Sequence, residues 1–385
     1  MSDAANTAVI AFALSAAFVF YVLLGYPALL WLLALWNKKP IRKHFEEKTV
    51  SVILPVRNGD QWIRAKLQSI LALDYPKRLM EILVISDSSE DRTDDIVRQF
   101  ADERVQLLRI PRSGKATALN KGMERARGEI LFFTDVRQTL EPGSLRNLVA
   151  CLGDPTVGVA SGELIIRNGN SREHASVSSY WRYEKWIRKQ LSRVDSTIGV
   201  SGCIWAMRRE FAVTLPPETL LDDVHLPLVA FFRGYRVVLD ESARAYDYPA
   251  SLHSEFRRKV RTLAGNYQII GQYPALLGPA NRMWIHFVSH KLGRLLLPFA
   301  LGLMAIVSFG LPGMWAAFAV SVQAFFYCFA ALDLLVPESS FVKRLSSPAR
   351  TFVVLMAASL FAVSIFFLPG QSFWKSTKVE VPRAA

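Results

Sequence analysis

At 385 residues, 51% of them hydrophobic and with a mean hydropathy of +0.21, the chain is too long for one compact unit and too apolar for an ordinary soluble protein. The formal net charge of +13 invites a nucleic-acid reading. Against it, basic residues gather next to an apolar run and in the stretches Arg182–Lys189 and Arg257–Arg261, and no nucleic-acid module is recognisable, so no nucleic-acid partner is expected. Cys151, Cys203 and Cys328 are scattered without a CxxC pair or metal-ligand spacing, which suits reduced thiols in a cytoplasmic domain rather than a disulfide framework.

Residues 8–36, "AVIAFALSAAFVFYVLLGYPALLWLLALW", carry no charge and are long enough to cross a bilayer with tilt. A signal peptide would need a positively charged start and a shorter apolar core. The basic stretch that follows, "NKKPIRKHFEEK", places the next segment in the cytoplasm. From about 50 to 275 short apolar strands alternate with helical patterns: "VSVILPV" then "DQWIRAKLQSILAL", "EILVIS" then "DRTDDIVRQFA", "RVQLLRI" then "KATALNKGMERA", "EILFFTD" then "PGSLRNLVACL". That alternation predicts an α/β domain with a mostly parallel sheet, whose ligands bind at the carboxyl ends of the strands. The segment "NRMWIHFVSHKLGR" has the mixed character of an interfacial helix. Beyond it, apolar runs at 293–311, 313–335 and 349–369 predict three more spans, with the basic "PESSFVKRLSSPAR" as a cytoplasmic loop. The side taken by the tail stays open. The expected division is 1–37 as an N-terminal transmembrane segment and 38–275 as the cytoplasmic α/β domain. An interfacial helix at 276–292 and a C-terminal membrane bundle at 293–385 complete it.

The polar residues that follow the strands are the candidates for chemistry. They are Arg57 and Asn58; Asp87, opening "DSSEDRT"; Lys115 in "PRSGKATALNKG"; and Asp135 with Arg137 in "FFTDVRQ". Farther on come "SGCIWAMRRE" with Cys203 and Trp205, "LLDDVHLP" with Asp222 and Asp223, and "EFRRKVRTLAGNYQ" with Arg258 and Arg261. Singly, each has an ordinary reading as a helix cap, a turn, a core residue or a solvated basic face. Jointly, all of them are expected at one rim of one predicted sheet.

The order and wording of "VSVILPVRNG", "VISDSSEDRT", "GKATALNKG", "GEILFFTD" and "LLDDVHLP" resemble the family-2 glycosyltransferases, in the membrane-embedded branch that includes cellulose, hyaluronan and poly-N-acetylglucosamine synthases. The resemblance implies a GT-A nucleotide-sugar-binding domain with N- and C-terminal transmembrane helices, in the inner (plasma) membrane among its lipids. It implies an inverting transfer from a nucleotide-sugar, with uridine as the family expectation, to a lipid-linked or glycan acceptor. On this likeness Arg57, Asn58, Asp87 and Lys115 hold the nucleotide, and Asp223 of the Asp222–Asp223 pair is the general base. A carboxylate beside another carboxylate tends to a raised pKa, which suits proton abstraction at neutral pH. Cys203 and Trp205 match the acceptor side, and Asp135 matches the first Asp of the motif that holds Mg²⁺ or Mn²⁺.

Two departures matter. Where the family has a second metal-binding Asp, this chain has Arg137. Asp135 with phosphate and water oxygens can still suffice for Mg²⁺, His253 is a candidate second ligand, and Arg137 can pair with the departing diphosphate. The "QxxRW" motif of processive synthases reads "RKVRT" here, so Arg258 replaces Gln, Arg261 keeps the Arg on the donor, and Thr262 replaces Trp. A single-sugar transferase is therefore the expectation. A processive polysaccharide synthase and an inactive scaffold homologue are the alternatives.

Overall fold

The computed structural model describes residues 3–100, 102–166, 172–248, 252–337 and 340–373. The chain divides into two compact units: one of Asn37–Asn168, Leu191–Pro249 and Val381–Ala385, the other of Met1–Trp36, Gly169–Gln190 and Ala250–Glu380.

The first unit is built on an eight-stranded sheet. Its strands are β1 (Val50–Val56), β2 (Met80–Asp87), β3 (Val105–Ile110), β4 (Ile130–Phe133), β5 (Thr139–Leu140), β6 (Val157–Ile166), β7 (Trp205–Arg208) and β8 (Arg236–Asp247), in the order β3-β2-β1-β4-β7-β6-β8-β5. The β3-β2-β1-β4 half is parallel, and its first, second and fourth strands in chain order are nearly all apolar because helices cover both faces. Beyond β4 the sheet is mixed. β7 runs antiparallel to both neighbours, β6 and β8 pair in parallel, and β5 closes the edge antiparallel to β8. Pro55 can sit in the central strand β1 because β4's pairing stops at Ile53↔Phe133, before the proline that lacks an N–H.

This unit's helices are α1 (Asp60–Leu71), α2 (Thr93–Arg98), α3 (Lys115–Arg125), α4 (Ser144–Leu152) and α5 (Asp222–Phe232). Helix α1 buries Ile63, Lys66, Leu67 and Ile70, the spacing of one helical face. α3 lies so close to the sheet that a Cβ on Gly122 would come within 2.8 Å of Ile53 and 2.9 Å of Ile85. A glycine there lets the helix seat on β1 and β2 and brings its N-terminus to the rim where they end.

The second unit is helical. Among the described residues, four helices are long and apolar enough to cross a membrane: Asp3–Trp36, Trp284–Ser308, Met314–Leu332 and Phe341–Phe366. A π turn, Tyr21–Gly25, lies within the first, and another, Phe287–Leu292, within the second. The second therefore starts inside the segment that reads as interfacial in the sequence. Two further helices, Arg172–Val194 and Leu252–Gln272, carry the basic clusters. Glu184 on the former takes a charge-assisted bond from Arg294 and lies 3.3 Å from His290 Nε2. Phe256 and Tyr267 on the latter set their rings edge-on to Phe361 and Phe366.

Candidate active site

At the rim formed by the ends of β1 and β2, the backbone turns sharply enough to put two non-glycine residues in the left-handed region, Asn58 (φ 49°) and Ser88 (φ 53°). The two turns are laced together. Asn58 N donates to Ser89 Oγ (3.2 Å), and Glu90 N donates to Asn58 Oδ1 (2.9 Å). Asp87 closes β2 and accepts from Ser113 N (2.6 Å) and Gly114 N (3.0 Å), which fixes the approach to α3. Gly114, at φ 86°, lets the chain swing into α3 so that Lys115 becomes its first residue. Arg57 stands exposed beside Asn58 on the same rim.

Lys115 gathers carboxylates from two other elements. Its Nζ lies 3.1 Å from Asp135 Oδ1, just beyond β4, and 3.2 Å from Asp222 Oδ1, the first residue of α5. Burial alone would lower the lysine's pKa, but the negative charges of Asp135, Asp222 and Asp223 outweigh it and hold the ammonium above its ordinary value. Asp223 follows on α5, and its backbone oxygen accepts from Val200 N (2.8 Å). The loop that faces it approaches so closely that a Cβ on Gly202 would lie 3.1 Å from Asp223 Oδ2, and one on Gly199 (φ 96°) 2.8 Å from Val224. Asp87, Lys115, Asp135, Asp222 and Asp223 thus belong to one stretch of rim.

The second half of "FFTDVRQ" is braced from outside. Asp247, at the end of β8, accepts from Arg137 Nε (3.0 Å) and Nη2 (2.6 Å), and from Gln138 Nε2 (2.8 Å). Arg137 therefore spends its guanidinium on a buried carboxylate in this structure. Trp205 is fully buried in β7 and stacks on Phe133 at 4.1 Å between ring centroids, and Cys203 is buried with its backbone oxygen taking the Thr134 hydroxyl (2.7 Å). Burial, reinforced by Asp135, pushes the Cys203 thiol up to about 12, so it is no nucleophile at neutral pH. Arg258 and Arg261 lie in the helical unit, where Arg258 pairs with Glu255 (2.8 Å) and stands over the Trp181 ring. The side chain of His253 lies outside the described residues.

For a divalent cation, Asp135 is the fitting donor. Its side chain is 38% exposed, and among the described residues its ion-pair partner is Lys115. No group of three His, Cys, Asp or Glu that could hold a metal occurs among the described residues, so any cation here would draw its remaining ligands from phosphate and water. Lys66, Gln138, Asp247 and Gly202 are not among the residues that the sequence singles out. Only Lys66 carried a signal there, as a charge on the apolar face of α1.

Residues 51–215 match the family model described as glycosyl transferase family 2. The chain carries a family 2 glycosyltransferase domain. The match takes in the rim from Asn58 to Asp135 and ends just short of Asp222. Among curated proteins, a probable glycosyltransferase of Bacillus subtilis (strain 168), YdaM, is 25% identical over 259 residues, 62% of this chain and 60% of its own. The poly-β-1,6-N-acetyl-D-glucosamine synthase of Staphylococcus aureus (strain COL) is 23% identical over 242 residues, 61% of this chain and 58% of its own. The chain thus spans about three fifths of the length of these relatives. The solved mannosyltransferase PcManGT from Pyrobaculum calidifontis, in complex with GDP-Man and Mn²⁺, superposes with a TM-score of 0.72 at 24% identity, over 93% of this chain and 99% of that one. That likeness is one of fold, and it agrees with the GT-A-like mixed sheet seen here.

Proposed function

We propose that the chain is an inverting glycosyltransferase of the inner membrane, moving one sugar from a nucleotide-sugar to a lipid-linked or glycan acceptor. The observation that carries this is the meeting of Lys115, Asp135 and Asp222, with Asp223 adjoining, at the strand-end rim of a family 2 domain. Arg57, Asn58 and Asp87 line the nucleoside side of that rim. Asp223 takes the proton of the acceptor hydroxyl as its oxygen bonds to the anomeric carbon. The bond from that carbon to the diphosphate breaks with its electron pair leaving on phosphate, through an oxocarbenium-like state. Mg²⁺ or Mn²⁺, when bound, would supply positive charge for the departing diphosphate, with Asp135 as its ligand from this chain. Lys115 holds the Asp135 and Asp222 carboxylates in place. Arg137, through Asp247, holds the loop that carries Asp135 steady.

The charge-free first span followed by "NKKPIRKHFEEK" supports a cytoplasmic placement of the sheet unit, where nucleotide-sugars are made. The donor base is left to experiment, since uridine rests on the family resemblance alone. The test is a panel of UDP- and GDP-sugars offered to the purified protein in bilayer discs with membrane-lipid acceptors, with and without EDTA. Transfer by wild type, its loss in EDTA and its loss in Asp223→Asn support the reading. Equal product from Asp223→Asn would instead point to a scaffold, and ladders of long product to a processive synthase.

A further inference from the structure

Helix α1 has an apolar face of Ile63, Leu67 and Ile70, and in the middle of it stands a lysine. Lys66 is 0% exposed. Its Nζ donates to Thr134 Oγ1 (2.5 Å) and to Gln138 O (2.6 Å). Thr134 passes its own hydroxyl hydrogen to Cys203 O (2.7 Å) and its backbone N–H to Ile53 O (3.3 Å). One amine thereby ties the first and last residues of the Thr134–Gln138 connection between β4 and β5, the connection that carries Asp135 and Arg137. Asp247 braces the same connection from the other side through Arg137 and Gln138.

Burying an ammonium among apolar side chains is costly, and a leucine or methionine would complete this face without that cost. The cost appears in the lysine itself. Burial, opposed by the facing Cys203 and Asp135, draws its pKa down to about 7. A group so out of place in a core is explained by what it holds. Thr134 Oγ1 and the Gln138 carbonyl would otherwise be left with polar atoms inside the sheet and no donor, and the loop between them would be free to shift.

We propose that Lys66 is a positioning residue for glycosyl transfer: it sets where Asp135 stands at the end of β4, and through Asp135 how the donor diphosphate and its cation are held. It does not touch the reacting atoms. The proposal rests on the transferase reading above and adds a residue to it that the family motifs do not contain.

The experiment compares wild type, Lys66→Met and Leu67→Ala, the last a packing change at the next buried position of the same helix face. Donor KM, acceptor KM, kcat and the thermal midpoint are measured with a donor the wild type uses. Lys66→Met raises donor KM about 10- to 100-fold, the scale expected when a catalytic carboxylate is misplaced by a fraction of an ångström to an ångström, and leaves acceptor KM unchanged. Leu67→Ala lowers the midpoint and leaves donor KM alone. Should Lys66→Met fail to accumulate, Thr134→Val removes the accepting hydroxyl at nearly constant volume and is expected to raise donor KM likewise. Unchanged donor KM in an active, folded Lys66→Met, or the same shift in Leu67→Ala, overturns the positioning role and leaves the transferase reading standing. A wild type that transfers no sugar from any donor overturns both.

Discussion

Asp222 and Asp223 are neighbours in sequence with different company. Asp222 shares Lys115 with Asp135, and Asp223 reaches the close-packed glycine of the facing loop. Lys115 is held in its charged form by these carboxylates, whose negative charges outweigh the effect of burial. Because its folded pKa lies above the unfolded value, its charge stabilises the fold at every pH below that unfolded value and the contribution is lost only as pH rises beyond it. Lys115→Gln should therefore cost stability across the neutral range. It should also lower the transfer rate, since Asp135 and Asp222 lose the ammonium that places them. A variant with the thermal midpoint and rate of wild type would show that the ammonium places neither carboxylate. Asp87 and Asp135 could be singled out because each closes an apolar strand run, and Lys115 and Asp222–Asp223 because of the order of the motifs around them. Arg137's partner was not, because Asp247 is more than a hundred residues away and only the fold brings it to the loop.

At the scale of elements, two short loops decide the site. The loop before β7 meets the start of α5 across glycines. In Gly202→Ala the new Cβ would stand 3.1 Å from Asp223 Oδ2, so the carboxylate must give by a few tenths of an ångström. The expected result is a lower kcat with little change in donor KM or thermal midpoint, and an unaffected kcat would show that the base tolerates the shift. The Thr134–Gln138 loop depends on Asp247. Asp247→Ala strands Arg137 and Gln138 Nε2 inside the sheet unit and should cost about 3–5 kcal/mol, readable as a lowered denaturation midpoint in detergent. A midpoint matching wild type would mean that water replaces the carboxylate. Strands β1 to β4 and helices α1 to α4 were legible because near-continuous apolar runs and helical spacing alternate there. The antiparallel β7 and the long β6–β8 pairing were not, since pairing direction is set by chain crossovers rather than by composition.

At the scale of the whole molecule, a family 2 domain and, among the described residues, four helices apolar enough to span a bilayer occur in one chain. The four candidate membrane helices were legible as long apolar runs, because a bilayer demands about twenty apolar residues per crossing. The start of the second span was not, because Trp284–Leu292 mixes His and Lys with aromatics and yet is helical throughout. What such a chain does comes down to whether its rim moves a sugar. The most direct measurement is product formed from labelled nucleotide-sugars by the purified full chain in bilayer discs, comparing wild type with Asp223→Asn at matched folded protein. The account predicts transfer by wild type and a loss of about a hundredfold or more in the variant with donor binding retained. Equal rates in the two proteins would contradict it.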